Sequence, residues 1–308
     1  MPSASPKVSV IIPNYNGLQH LTNLLPSIAD QTFHDYEVII IDDCSPDRSA
    51  VDYIETYTRD RANFHLITNT ENLGFVRNCN KGFGLAQGDY LCILTNDTSV
   101  TRDFIQKNIA AMEADGAIGV LSCCIIDQDG NNWFTGGLLR NGVWTNLKDD
   151  FLGIRVVDWV AGTACFYRTQ LVNEVGLLDE TLVMYYEDLD FCLRVRGQTS
   201  YKICVLSDKL VTHHIEHREL LRPKLASLTR VQYHTHKNNV ILAKRHYPQH
   251  LAKMLVQNLG DTVRWPFLAL SQRRPQSFLA SGYVAMIIAV ATLAGLVKDA
   301  RLKVVHRR

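Results

Sequence analysis

The chain has 308 residues, 46% hydrophobic and 20% charged, an ordinary globular composition that excludes a wholly disordered or fibrous protein and allows one large domain with an appendage. Its net charge of +1 conceals a polarity: residues 1–217 carry 16 Lys and Arg against 28 Asp and Glu, a balance of −12, and residues 218–308 carry 16 against 3, a balance of +13. The basic tail therefore either meets an anionic partner or docks on the acidic body.

The first element is an apolar strand over Val8 to Ile12, closed by the turn Pro13-Asn14-Tyr15-Asn16-Gly17. Leu18, Leu21, Leu24, Leu25 and Ile28 recur at helical spacing behind it. A second buried strand over Val38 to Ile41 ends in Asp42-Asp43-Cys44-Ser45, and a helix follows from Ser49 to Thr58. Phe64 to Ile67 is a third strand. The turn Asn72-Leu73-Gly74 then leads to a helix over Val76 to Ala86. Leu91 to Leu94 is a short apolar run suited to a strand buried on both faces, and it ends in Thr95-Asn96-Asp97-Thr98. A helix from Arg102 to Ala114 and a strand over Ile118 to Ile126 complete the regular alternation. Such an order predicts a mostly parallel, Rossmann-like α/β sheet with helices on both faces.

Between Asp127 and Asp158 the pattern is irregular and holds a hairpin or a long loop. Val160 to Tyr167 reads as a strand and Glu187 to Arg196 as a helix. Tyr201 to Leu206 and Lys209 to Thr212 read as two short strands. From Glu216 onward the chain reads as basic and helical, which sets the domains at 1–215 and 216–308. Eight cysteines include no C-x-x-C pair; Cys44, Cys79, Cys92, Cys123, Cys165, Cys192 and Cys204 lie mostly among apolar residues, as small buried hydrophobes of a reducing compartment do. The segment Met-Pro-Ser-Ala-Ser-Pro-Lys lacks the apolar core of a signal peptide, so a cytoplasmic location is expected.

Three polar strand ends converge in a sheet of this kind, and ligands bind beyond the carboxyl ends of such strands. They offer Pro13, Asn14 and Tyr15, then Asp42, Asp43 and Ser45, then Asn96 and Asp97. An aromatic ring can stack on a base, an Asp can accept from a pyrimidine imide N–H, and a further carboxylate can hold a divalent cation on a diphosphate. Neither G-x-G-x-x-G nor a P-loop motif follows the strands, which disfavours a dinucleotide or a P-loop nucleotide. Each cluster taken alone could equally be an ordinary turn. Tyr185-Tyr186-Glu187-Asp188-Leu189-Asp190 opens a helix; its acids either favour the positive end of the helix dipole or supply a general base. Asp190 sits about 200° round the axis from Asp188 and should face elsewhere. His213-His214-Ile215-Glu216-His217 matches H-x-x-E-H, a zinc-protease pattern that requires a helix, whereas the preceding residues read as a strand end. A surface His cluster, or one His added to a metal held by Asp97, are the other readings.

The order of these motifs resembles the family-2 glycosyltransferases of the GT-A fold, most closely their bacterial rhamnosyltransferase-like branch. The resemblance spans roughly residues 7–247 and rests on Val8-Ser-Val-Ile-Ile-Pro-Asn-Tyr-Asn-Gly17, Val38 to Ser45, Asn72-Leu-Gly-Phe75 with Asn80 and Gly82, and Gly88 to Thr98. Trp159-Val-Ala-Gly162, Val175 to Glu180, Tyr185-Tyr-Glu-Asp188, His213-His214 and Lys237-Asn238-Asn239 continue it. It implies a nucleoside site at Pro13, Tyr15, Asp42 and Asp43, with Asn72, Gly74, Arg77 and Asn96 beside the nucleotide and its diphosphate. It makes Asp97 the second acid of a D-x-D metal motif, with His213, or else His214, completing coordination of Mg²⁺ or Mn²⁺. Asp188 is then the catalytic base with Glu187 beside it, and Trp159 and Gly162 border the acceptor and donor sugar. One departure stands out: Thr95 occupies the place of the first acid of D-x-D, so the metal depends on Asp97 and a His.

Gln276 to Val297 contains no charged residue and is close in length to a membrane span, with Arg273, Arg274, Lys298, Arg301 and Lys303 at its ends. Three readings are open: a helix lying in the interface of an anionic membrane, a helix packed on the body or a second subunit, and a true span. The expected function is an inverting, metal-dependent transferase that moves a sugar from a nucleotide-diphosphate donor to a glycan or lipid-linked acceptor. It would work in the cytoplasm or at the inner face of the cell membrane, with no nucleic-acid partner and with homo-oligomers allowed. The alternative is an inactive nucleotide-sugar-binding or scaffold protein, the reading Thr95 encourages.

Overall fold

The computed structural model describes residues 5–140, 143–214, 225–260 and 275–298. The chain divides into two compact units, one of residues 1–139, 144–183 and 187–215, the other of residues 140–143, 184–186 and 216–308.

The first unit is built on one mixed sheet. β1 (Val8–Asn14), β2 (Tyr36–Asp42), β3 (Phe64–Thr68) and β4 (Tyr90–Leu94) run parallel in the order β3-β2-β1-β4. Every residue of β1, β2 and β4 is buried, as expected for apolar runs covered on both faces. The helices α1 (Leu18–Ala29), α2 (Ser49–Thr58) and α3 (Phe75–Leu85) connect these strands. Beyond β4 come β5 (Thr98–Val100), α4 (Phe104–Ala114) and β6 (Ile118–Ile126).

The irregular stretch resolves into β7 (Asn132–Phe134), a two-stranded sheet of β8 (Gly137–Arg140) and β9 (Val143–Asn146), and β10 (Ile154–Val156). β11 (Ala164–Arg168), shorter than the strand expected from Val160, lies antiparallel between β4 and β6. α5 (Thr169–Val175), α6 (Glu187–Gln198) and β12 (Lys202–His213) follow, and β12 pairs with β6 in parallel and with β10 and β5 antiparallel. The two short strands expected over 201–212 are therefore one. Ser207-Asp208-Lys209 breaks the apolar pattern, but the register shifts beside Lys209 keep the chain in the sheet as a bulge. All eight cysteines are free thiols, and seven are buried; Cys44 is exposed, on a left-handed turn with φ 59° after β2.

The second unit contains α7 (Leu225–His246), α8 (251–260) and α9 (Pro275–Lys298). Val240, Ile241, Leu242, Ala243, Met254, Ile288 and Ala291 are buried. Lys244 Nζ donates to Leu296 O at 2.7 Å, and Asn258 joins His236 to Thr292. Among the described residues no helix is long and apolar enough to cross a membrane, which removes the spanning reading of 276–297.

Candidate active site

The parallel strands β1, β2 and β4 end on one edge of the sheet, and polar side chains tie those ends together. Asn14, buried at the end of β1, donates to Asp42 Oδ1 at 2.9 Å and accepts from Asn96 Nδ2 at 2.9 Å. Asp42 also accepts the Ser45 N–H at 3.0 Å and its hydroxyl at 2.6 Å. The Asn pair needs Gly17 beneath it, because a Cβ there would fall 2.2 Å from Asn96 Nδ2 and 2.4 Å from Asn14 Oδ1. Pro13 is buried opposite Ile41, while Tyr15 is half exposed beside this network.

Asp43 takes a different part from its neighbour. Its carboxylate accepts from Asn69 Nδ2 at 3.0 Å, the Leu73 N–H at 2.7 Å and the Gly74 N–H at 2.8 Å. Burial works to raise its pKa, but the Asn78 and Asn69 side chains and the two backbone donors outweigh it and hold the carboxyl below its ordinary value. It thus clamps the turn that opens α3. Gly74 caps that helix with φ 82°, a conformation that favours glycine. Asn72, exposed, donates to Asp43 O at 3.3 Å. Arg77 pairs on the surface with Glu180 at 3.2 Å, a contact weak enough to be exchanged for another anion.

Asp97 follows β4. The short β5 pairs with β12 so that His213 lies opposite Thr98, and this brings the imidazole to the carboxylate. His213 Nε2 is 3.1 Å from Asp97 Oδ2, and Thr95 Oγ1 donates to Asp97 Oδ1 at 2.6 Å. Burial pushes the Asp97 carboxyl up, and the hydrogen bond and charge of His213, with the Thr95 hydroxyl, bring it below its ordinary value. The Trp133 ring packs edge-on against His213 with centroids 4.4 Å apart, and His213 Nδ1 is buried without a hydrogen-bond partner. His214 is engaged elsewhere, with Ser99 Oγ 2.9 Å from its Nε2. His213 is the last residue of a strand, so the helix that the zinc-protease pattern requires does not form there; Glu216 and His217 lie outside the described residues.

Whether Mg²⁺ or Mn²⁺ suits this place depends on its donors. A carboxylate oxygen and an imidazole nitrogen are both ligands of such ions. Among the described residues no group of three His, Cys, Asp or Glu side chains could hold a metal, and Asp97 with His213 makes two candidate ligands. That number fits ions that complete their shell with substrate phosphates and water.

Asp188 stands one residue into α6. Its Oδ2 accepts the Gly162 N–H at 2.8 Å and its Oδ1 accepts the Leu189 N–H at 2.7 Å. Each oxygen keeps a second lone pair for a substrate proton. Burial raises the Asp188 pKa, with the Gly162 and Leu189 amides working against it. Glu187 is buried with no partner for Oε2; burial first, and the Asp188 charge second, push its pKa up to about 8. With a pKa of about 8, Glu187 therefore holds a proton at neutral pH. Asp190 does face elsewhere: it is buried in an ion pair with Arg194 at 2.8 Å. Trp159 packs on Phe134 with centroids 5.2 Å apart and exchanges backbone hydrogen bonds with Gly137.

One backbone step joins the two carboxylate sites. Gly162 donates to Asp188, and Thr163 O accepts the N–H of Thr95, whose hydroxyl meets Asp97. Sequence reasoning placed Asn14 at a strand end and Glu180 at the end of a matching stretch, both without a role, and it overlooked Trp133 and Thr163. A buried Asn closing a fully apolar strand was the available signal for Asn14; nothing local marked the others.

Residues 9–176 match the family model described as glycosyl transferase family 2. The chain is similar to the putative teichuronic acid biosynthesis glycosyltransferase TuaG of Bacillus subtilis, 32% identical over 131 residues, which cover 42% of this chain and about half of TuaG, 52%. In fold it is similar to the crystal structure of S. aureus TarS 1–349 in complex with UDP, with a TM-score of 0.58, 19% identity and coverage of 94% and 90% of the two chains. It is also similar to GalNAc-T7 crystallised with UDP, GalNAc and Mn²⁺, with a TM-score of 0.65, 18% identity and coverage of 81% and 50%. A mostly parallel sheet whose strand ends gather Asp42, Asn96 and Asp97, together with a family match over more than half its length, makes this chain a member of glycosyl transferase family 2 with the GT-A fold.

Proposed function

We propose that the protein is an inverting glycosyltransferase that moves a sugar, a hexose or rhamnose, from a nucleoside-diphosphate donor to a hydroxyl of a glycan or lipid-linked acceptor in cell-envelope polysaccharide synthesis. The observation that carries this reading is the step Gly162–Thr163, which ties the part-buried Asp188 carboxylate to the Asp97–His213 pair. Tyr15 and Asp42 hold the nucleoside, and the start of α3 with Asn72, Gly74, Arg77 and Asn96 lies along the diphosphate, where helix N-termini favour anions. Asp97 and His213 would hold Mg²⁺ or Mn²⁺, which when bound would offset the negative charge that grows on the leaving diphosphate. Asp188 takes the proton from the acceptor hydroxyl, and that oxygen attacks the anomeric carbon on the face opposite the diphosphate. Gly162 keeps the Asp188 carboxylate aimed, and Trp159 borders the sugars. The GalNAc-T7 structure with Mn²⁺ and the TarS structure with UDP support the metal and the class of donor.

Thr95 favours one other reading, a protein that binds a nucleotide sugar without turning it over. Titration calorimetry with UDP-, dTDP- and GDP-sugars, with and without Mn²⁺, should show one donor class bound more tightly with metal and then slowly hydrolysed. Binding of none would sink the transferase reading; tight binding with no release of nucleoside diphosphate in the presence of membrane glycolipid extract would favour the scaffold.

The lipid-linked acceptor is suggested by the second unit. Met286, Val290, Leu293 and Val297 are all about half exposed or more, and at their spacing they fall within about 60° of one another on α9. An apolar stripe on a segment with a balance of +13 fits an anionic lipid surface; a second copy of the same segment would bring like charges together. Replacing the four by Ser should abolish co-flotation with vesicles containing 30% phosphatidylglycerol. Equal flotation of the variant, or loss of a dimer instead, would rule this surface out.

A further inference from the structure

The chain enters α6 through a backbone that its own residues do not favour. Val183, Tyr185 and Tyr186 have φ values of 45°, 66° and 71°, three of the five non-glycine residues with positive φ among the described residues. A β-branched or bulky side chain in that region is strained and persists only where its surroundings dictate it. Residues 183–186 include no Gly, Asn or Asp to ease the conformation.

The constraint comes from α7. Asn238 is completely buried, and its amide nitrogen donates to Met184 O and to Tyr185 O, at 2.8 Å each. Both amide hydrogens are therefore spent on successive carbonyls, an arrangement that an Asp, Leu or Ala at this position could not reproduce. Met184–Tyr186 belongs with the helical unit by its packing, although its flanking residues belong to the sheet unit. Tyr186 is bonded directly to Glu187, and Asp188 is next.

We propose that Asn238 is a positioning residue for sugar transfer: by holding two consecutive carbonyls it fixes the left-handed turn at 183–186, and through that turn the direction in which α6 presents Asp188. This rests on the reading of Asp188 as the base. The basic helical segment is then a working part of the transferase, needed for the chemical step as well as for any surface it meets. Asn238 acts through the turn.

The test separates this role from a general loosening of the helical unit. Asn238→Asp keeps the shape and removes both donors, Asn238→Ala removes the group, and Asn258→Ala is the control. Asn258 is also buried in the same unit, where it bonds His236 and Thr292. Both Asn238 variants should lose about 10–100-fold in kcat, the cost of a reacting group displaced by about 1 Å, with the donor KM little changed. Hydrogen exchange of the amides of residues 184–189 should speed up in the Asn238 variants and not in Asn258→Ala. Unchanged kcat in a folded Asn238 variant, or an equal loss in Asn258→Ala, overturns the proposal. If the wild-type protein transfers no sugar at all, the transferase reading fails, and the exchange measurement still decides whether Asn238 holds the turn.

Discussion

Replacing Asp188 by Asn should lower sugar transfer by about 10²–10⁴-fold and leave donor binding intact, the expected worth of a positioned general base. The variant keeps the shape and the acceptor oxygen for one backbone donor, so the Gly162 contact need not collapse. The pH dependence has a definite sign. The Asp188 carboxyl is raised by burial, so wild-type transfer falls as pH drops through a value above 3.8, the ordinary value of the group. Glu187 supplies a second readout. Its folded pKa of about 8 exceeds its ordinary 4.5, so its contribution to stability is full below 4.5 and is lost as pH rises through about 8. Asp188→Asn removes the neighbouring charge that adds to this shift, and its melting temperature should therefore decline less than that of the wild type between pH 6 and 9. Asp190→Asn is the contrasting variant. It leaves the Arg194 guanidinium without its buried partner, a loss of about 3–5 kcal/mol, and should lower the melting temperature while the folded fraction keeps its kcat. A dead Asp190→Asn beside an active Asp188→Asn would show the base to be misassigned.

Asp97→Ala should eliminate both transfer and the gain in donor affinity that Mn²⁺ confers. Among the described residues Asp97 and His213 are the pair proposed to face the ion, so removing the carboxylate leaves a single imidazole of that pair, too little to hold Mg²⁺ or Mn²⁺ against water. The substitution also strands the Thr95 hydroxyl and His213 Nε2, which costs about 1–3 kcal/mol for each buried group left unpaired. Asp97→Asn guards against that ambiguity, because it keeps an acceptor for Thr95 and removes the charge. Donor titrations with and without Mn²⁺, read beside melting curves, separate loss of the metal from loss of the fold. Full transfer by Asp97→Ala, or by the wild type in excess EDTA, would end the metal-dependent mechanism.

Much of this arrangement is legible in the order of residues. The runs Val8 to Ile12, Val38 to Ile41 and Leu91 to Leu94 are apolar on both faces, which only a covered parallel sheet accommodates. The polar residues that end those runs had to share an edge of that sheet. What tertiary structure decided is which partners each of those polar groups takes. Asp42 and Asp43 are adjacent in sequence, yet Asp43 is consumed by the Leu73–Gly74 turn while Asp42 joins the Asn14–Asn96 network. His213 reaches Asp97 across 116 residues because a three-residue strand, β5, pairs with the end of β12. Periodicity reports which face of an element is apolar; it carries no information about which distant element will lie beside it. The Asp188–Gly162 contact, the raised Glu187 and the hold of Asn238 on a turn 53 residues away share that origin: each arises from burial and hydrogen bonds between segments that only the folded sheet and its helices bring within 3 Å.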